Sequence, residues 1–232
     1  MFIDIGNSMI KIYYQDKKYN IKPQQIDLSD IKEKIIISSV NQNNLNYLKL
    51  NNNYHLISNQ DFYLLKNKKT LQIHELGTDR FLNDLGALKK YNEDLIIFNL
   101  GTMLTCDIIE NKTLTTGFIM PGINSLKSAM INDAELLNKI KYQKINNEIS
   151  DTTSHINDGI YYAIIGFMKV ICESFKPQKV IITGGGLTTL LEMNTKKNII
   201  KELKKDLIFE DYNSIDNITK EGFLAIKKEL GE

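Results

Sequence analysis

The chain is poor in several things, and each shortage narrows what it can be. Its 232 residues carry 29 basic and 28 acidic side chains, for a formal net charge of +1. That balance gives neither the electrostatic footprint of a nucleic-acid-binding protein nor a polybasic membrane patch. No apolar run approaches the roughly 20 residues that span a bilayer. The opening MFIDIGNS has no basic stretch ahead of an apolar one, so a signal peptide is not expected and a soluble, cytoplasmic protein is. There are only two cysteines, Cys106 and Cys172. Both sit among apolar neighbours and read as reduced core residues rather than a disulfide. The three histidines, His55, His74 and His155, share no metal-ligand spacing. Neither GxGxxG nor GK followed by Ser or Thr comes after a strand, which excludes the Rossmann and Walker A phosphate sites. Scarcest of all is arginine. Of the 29 basic residues only Arg80 is one. In so lysine-rich a chain a lone arginine is expected where a planar, bidentate donor is needed, with chance retention as the alternative.

What is present reads as globular. The hydrophobic fraction is 42%, and the length allows one large domain or two modest lobes. MFIDIGN reads as a short strand, a turn at Gly6-Asn7-Ser8 leads to MIKIYYQ, and KYNIK continues the hairpin. EKIIISSV reads as a buried strand, NQNNLNYLKL as a short helix and YHLIS as a strand. Phe81, Leu82, Leu85 and Leu88 recur at helical spacing between Asp79 and Tyr91. The opening pattern then returns. DLIIFNLGTMLTCDIIENKTLTTGF is strand, glycine turn, strand, turn, strand, and IFNLGT echoes IDIGNS about 95 residues earlier, a weak internal duplication. Helices are expected from Lys127 onward, over 155–175 and at the closing ITKEGFLAIKKEL, with KVIITGGG as a buried strand. Hairpins at the start of each half favour two α/β lobes facing across a cleft over a single Rossmann sheet. The expected division is 1–93 and 94–232, with the last helix free to pack back on the N-terminal lobe.

Five motifs carry chemistry. In Asp4-Ile5-Gly6-Asn7-Ser8, ending at Lys11, a strand delivers a carboxylate, and glycine lets the backbone turn tightly and present its N–H groups. Such a turn can face a polyphosphate while the carboxylate holds Mg²⁺ or its water, although an ordinary hairpin needs no more. Asn99-Leu100-Gly101-Thr102 repeats the arrangement, with Thr102 and Thr105 as phosphate donors. Thr183-Gly184-Gly185-Gly186 ends a buried strand and permits close approach by a flat ligand or a phosphate. Gly77-Thr78-Asp79-Arg80 opens a helix, where Asp79 can cap the helix or accept a proton from a substrate hydroxyl. Arg80 can bind a carboxylate or phosphate bidentately. In Gly117-Phe118-Ile119-Met120-Pro121-Gly122 a structural turn is the default.

The order DIGNS, GTDR, NLGT, GFIMPG, TTSHINDGI and TGGG resembles the motif series of the type III pantothenate kinases, over nearly the whole chain. The resemblance implies the two-lobed actin-like (ribonuclease H-like) α/β fold, with duplicated mixed-sheet domains around a central cleft. It implies a homodimer that phosphorylates pantothenate from ATP, the first step toward coenzyme A, using Mg²⁺ and a monovalent cation, K⁺ or NH₄⁺. Carried over by motif, Asp4, Ile5, Gly6, Asn7, Ser8, Met9, Ile10 and Lys11 would hold the ATP phosphates, and Asp4 would reach Mg²⁺, directly or through water. Thr102, Gly184 and Gly185 would also contact ATP. Gly77, Thr78, Asp79, Arg80 and Thr153 would contact pantothenate, with Asp79 as the proton acceptor. The chain departs from the family at two positions. Asn99 replaces an aspartate that binds the monovalent cation, and Thr70 stands where a substrate-binding tyrosine is common. The alternatives are a catalytically impaired nucleotide-binding accessory protein of the same fold, or a kinase of another small hydroxy acid. The 155–175 helix, apolar on much of its circumference (Ile156, Ile160, Tyr161, Ile164, Ile165, Phe167, Met168, Ile171), is the candidate interface of such a homodimer, with a fully internal helix as the alternative.

Overall fold

The computed structural model describes residues 1–61, 76–133, 152–194, 207–210 and 217–231; Thr70 and His74 lie outside them. The chain forms two compact units. One comprises Met1–Asp94, Ile109–Thr116 and Glu210–Glu232, the other Leu95–Ile108 and Gly117–Phe209.

The first unit starts with a meander of β1 (Phe2–Ile5), β2 (Ile10–Tyr14) and β3 (Lys17–Ile21). Gln15 and Asp16 join the last two with positive φ, as a two-residue hairpin that follows the strand twist requires. After β4 (Ile26–Asp27) come β5 (Ile35–Ser39), a single helical turn α1 (Gln42–Leu45), β6 (Leu48–Lys49) and β7 (Tyr54–Leu56). The expected helix over NQNNLNYLKL is thus only one turn, because Leu48 leaves it to enter the core. The sheet order is β3-β2-β1-β5-β7, with β1 antiparallel to β2 and parallel to β5. Strand alternation sends Ile3, Ile5, Ile35 and Ile37 into one core and Phe2, Tyr13 and Ile36 into another.

That second core is closed by α2 (Thr78–Tyr91) and α6 (Ile218–Glu229). Phe2 and Phe223 stack with ring centroids 5.1 Å apart. Tyr13 Oη lies 3.3 Å from Asn217 Oδ1, and the Asn217 side chain caps α6 through Lys220 N–H. The two helices meet backbone to backbone. A Cβ on Gly86 would lie 1.8 Å from the Ile218 carbonyl oxygen, and one on Gly222 would lie 2.1 Å from that of Leu82. Buried Glu210 accepts from Lys90 Nζ at 2.9 Å and from Ile218 N–H at 2.9 Å, which ties the end of α2 to the start of α6.

The second unit repeats the plan with β8 (Leu95–Leu100), β9 (Met103–Glu110) and β10 (Thr113–Pro121), the last two joined by positive-φ Asn111 and Lys112. β11 (Lys179–Thr183) runs parallel to β8, and β12 (Leu207–Phe209) parallel to β11, giving the order β10-β9-β8-β11-β12. Both sheets therefore place a hairpin on one side of the initial strand and a parallel strand on the other. This is a mixed-sheet α/β architecture repeated in two units, as the sequence led one to expect. Helices α3 (Ile123–Asp133) and α4 (Thr152–Phe175) begin four and three residues earlier than expected, and α5 (Leu187–Asn194) and β12 have no counterpart in the sequence reading. α4 also corrects an expectation. Ile160, Tyr161, Ile164, Ile165, Met168 and Ile171 are buried in the unit's own core, with Ile156 and Phe167 packed against it. The helix needs so wide an apolar face because it covers β8, β9 and β11 together. Cys106 and Cys172 are free, buried thiols of the same core.

Gly222→Ala should force α2 and α6 apart and cost about 1–3 kcal/mol or more, the scale of overpacking. Urea denaturation of the variant beside wild type measures this, and an unchanged midpoint would contradict the close helix approach.

Candidate active site

In the first unit Asp4 sits near the end of the central strand and is 1% exposed. Its lateral neighbours in register are Lys11 on β2 and Ser38 on β5. All three share the face that carries Phe2 and Ile36, the face covered by α2. Lys11 Nζ donates to Asp4 Oδ2 at 2.6 Å. Oδ1 is buried and accepts no hydrogen bond among the described residues. An anionic oxygen left so is costly unless something of opposite polarity meets it.

Ser38 reaches the start of α2. Its Oγ donates to Thr78 Oγ1 at 2.9 Å, and Thr78 Oγ1 donates to the Ser39 carbonyl at 3.1 Å. The helix N-cap is Gly77. Asp79 is therefore not the cap the sequence allowed but a first-turn residue, and its Oδ1 accepts from Arg80 N–H at 2.8 Å. A Cβ at Gly77 would stand 2.7 Å from Asp79 Oδ1, so the absence of a side chain there leaves the carboxylate its room. Burial, and next the negative charge of Asp4, push the Asp79 carboxyl above its ordinary range; the Arg80 N–H and the charges of Lys11 and Arg80 oppose this only in part. One carboxylate is thus paired with a lysine, and a second, on another element, is made more basic.

The turn after Asp4 is held from below. Gly6 N–H donates to the Met9 carbonyl at 3.0 Å, while Asn44 Nδ2 donates to the carbonyls of Gly6 at 2.8 Å and Asn7 at 3.2 Å. Asn41 Nδ2 donates to Asn7 Oδ1 at 3.1 Å. Ser38, Asn41 and Asn44 were not among the residues singled out from the sequence. The available signal was a run of Ser and Asn directly after the buried Ile35-Ile36-Ile37.

In the second unit three glycine segments pack as one. Gly101 N–H donates to the Met103 carbonyl, Gly122 N–H to the Thr102 carbonyl, and Gly186 N–H to the Leu100 carbonyl. Gly184 has φ +97°, and a Cβ there would lie 2.5 Å from Asn99 Oδ1. Glycine is required by both the dihedral and the approach. Gly122, read from the sequence as a structural turn, therefore belongs to this cluster. Asn99 pairs in register with Thr183, and Thr105 shares their face of the sheet, with its buried Oγ1 accepting or donating no hydrogen bond among the described residues. The face that carries Asp4, Lys11 and Ser38 in one unit carries Asn99, Thr105 and Thr183 in the other. Gly185 is exposed between β11 and α5, and Thr153 lies part-buried in the first turn of α4. Among the described residues no three His, Cys, Asp or Glu side chains converge as a metal cluster, and no helix is long and apolar enough to cross a membrane.

Comparison with known proteins adds to this geometry. The sequence pattern of the type III pantothenate kinases matches residues 15–174. Curated relatives include type III pantothenate kinases of Thermosipho melanesiensis, 31% identical over 61% of this chain and 60% of theirs, and of Persephonella marina, 31% identical over 62% and 56%. The chain therefore matches less than two thirds of the length of these relatives. Among solved structures, a Campylobacter jejuni protein described as a Baf family transcriptional activator superposes with a TM-score of 0.63 at 22% identity, covering 99% of this chain and 98% of that one. A candidate N-acetylmannosamine kinase from Listeria monocytogenes superposes with a TM-score of 0.51 at 15% identity, covering 98% of each. These two show the fold alone.

The raised Asp79 has a consequence for stability. A carboxyl whose folded value lies above its unfolded value favours the fold below about pH 4, where both states are protonated, and that contribution is lost as pH rises through the folded value. Asp79→Asn should therefore gain stability relative to wild type as pH climbs from about 4 toward neutrality. Urea denaturation of both proteins across that range measures the difference; a flat difference would show that Asp79 is not perturbed.

Proposed function

The chain belongs to the type III pantothenate kinase family, and we propose that it transfers the γ-phosphoryl group of ATP to the primary hydroxyl of pantothenate, yielding 4′-phosphopantothenate and ADP as the first step of coenzyme A biosynthesis. The observation that carries this reading is the pair of unlike carboxylates in the first unit: Asp4 bound to Lys11, and Asp79 made more basic beside Arg80. Phosphoryl transfer to an alcohol asks for those two roles, charge handling at the phosphates and proton acceptance at the nucleophile.

Asp79 takes the hydroxyl proton as the substrate oxygen bonds to the γ-phosphorus and the bond to the β-phosphate oxygen breaks. Arg80 holds the pantothenate carboxylate through its planar fork, with Gly77 and Thr78 beside it, and Thr153 is the further position that the family resemblance assigns to the substrate. The stretch from Asp4 to Lys11 receives the phosphates, with Lys11 as their cation; Thr102, Gly184 and Gly185 are the further positions that the family resemblance assigns to ATP. Mg²⁺ fits Asp4, whose buried Oδ1 accepts no hydrogen bond among the described residues, and a single carboxylate plus substrate phosphates is an ordinary Mg²⁺ environment. When bound, Mg²⁺ neutralises phosphate charge. At the position where the family uses a carboxylate for K⁺ or NH₄⁺ this chain has the neutral Asn99, so monovalent-cation dependence is weak or absent. The working protein is a cytoplasmic homodimer.

Asp79→Asn should lower kcat by about 10²-fold or more, the scale of a general base, in a coupled ADP-release assay with ATP, Mg²⁺ and pantothenate. Near-normal turnover would remove Asp79 from the role, and wild type inactive on pantothenate but active on another hydroxy acid would redirect the substrate. In the same assay Asn99→Asp should create or sharpen activation by K⁺. Saturable activation at low millimolar K⁺ in wild type, unchanged by the substitution, would show that position 99 does not set the cation site.

A further inference from the structure

The turn that follows Asp4 is built from side chains that hold its carbonyls rather than its N–H groups. Asn44 is 7% exposed, and its one amide nitrogen donates to both the Gly6 carbonyl at 2.8 Å and the Asn7 carbonyl at 3.2 Å. In a planar trans peptide the carbonyl and the following N–H point in opposite directions. Fixing the Gly6 oxygen toward α1 therefore turns the Asn7 N–H away from it, and fixing the Asn7 oxygen does the same for the Ser8 N–H. Asn7 and Ser8 are exposed, whereas Asp4 and Ile5 before them are buried. Asn44 is itself held. Its own N–H donates to Asn41 Oδ1 at 3.0 Å, and Ser39 Oγ donates to the Asn41 carbonyl at 3.1 Å. A helix of four residues has little stability of its own. Its place is set by this polar contact with the turn and by Leu45, which packs against the core.

The second unit solves the same problem with other atoms. There the Thr102 carbonyl accepts from Gly122 N–H at 3.0 Å and from Ser125 Oγ at 2.7 Å, both at the start of α3. In each unit the element that supplies the donors is separate from the strands that form the turn.

We infer that Asn44 is a positioning residue for the nucleotide: by gripping the Gly6 and Asn7 carbonyls it fixes the turn and orients the Asn7 N–H toward the ATP phosphates. This rests on the reading that the turn receives ATP. The Asn44 amide nitrogen is engaged with the turn, so Asn44 acts through it, and its loss should appear in ATP affinity and leave pantothenate affinity alone.

The experiment compares wild type, Asn44→Ala, Asn44→Asp and Asn44→Gln by steady-state kinetics and by calorimetric titration with MgATP. Asn44→Ala should raise KM and Kd for ATP about tenfold, with KM for pantothenate within about twofold of wild type, the scale of two lost amide hydrogen bonds. Asn44→Asp, which opposes an anion to two carbonyls, should be worse, and Asn44→Gln should recover part of the loss. If Asn44→Ala does not fold, Asn41→Ala, which removes only the outer hydrogen bonds, is read in the same way. Unchanged ATP affinity, or a parallel loss for both substrates, overturns the inference, and so does a fall in thermal midpoint alone. A wild type that binds MgATP without phosphorylating pantothenate overturns the functional reading while the titrations still decide the role of Asn44. A wild type that binds no MgATP overturns both.

Discussion

Contact between α2 and α6 at Gly86 and Gly222 sets the position of everything the first unit offers to chemistry. A carbonyl oxygen of each helix occupies space that a methyl group on the other would fill. With α2 fixed at its middle by α6 and at its end by the Lys90–Glu210 pair, its N-terminal turn has little freedom. That turn carries Thr78, Asp79 and Arg80. The Ser38–Thr78–Ser39 hydrogen bonds then hold the helix start to β5, beside Asp4. The nearness of Asp79 to the Asp4 charge, which with burial makes its carboxyl more basic, is a product of this packing and not of any local sequence preference.

The duplicated sheet explains why each unit ends its first strand in a glycine turn, and divergence within it explains why the two turns differ. The central strand of each sheet is flanked on both sides, so a polar residue near its end is buried and must be answered by its lateral neighbours. In the first unit the answer to Asp4 is Lys11, with one carboxylate oxygen left over. In the second unit the corresponding residues are neutral, Gly184 lets its segment approach Asn99 closely, and Gly122 does the same against Gly101. The first turn is thus set beside an ion pair and the second beside close neutral packing.

Much of this was legible in the chain. The short apolar runs around the glycine turns in residues 1–14 and 95–110, and the repeat of IDIGNS as IFNLGT, predict two strand–turn–strand units, because strand preference and glycine's backbone freedom act over a few residues. The helical spacing of Phe81, Leu82, Leu85 and Leu88 predicts α2, and the motif order carries the family. α5 and β12 were missed because short apolar stretches suit either kind of element, and context decides between them. Asn44 was missed because a polar residue in a polar run carries no period; only the fold brings it under a turn 37 residues earlier.

The sequence by itself determined the strand pattern, the glycines where the backbone must turn and the presence of Asp4, Asp79 and Arg80, since each is a property of a residue and its immediate neighbours. Only the tertiary structure decided which of those residues meet. The α2–α6 contact joins positions more than 130 residues apart, and the wide apolar face of α4, which in isolation suggests a partner surface, is covered by the unit's own sheet. Both outcomes follow from burial and close packing, whose energies depend on what lies across the gap, and no local pattern records that.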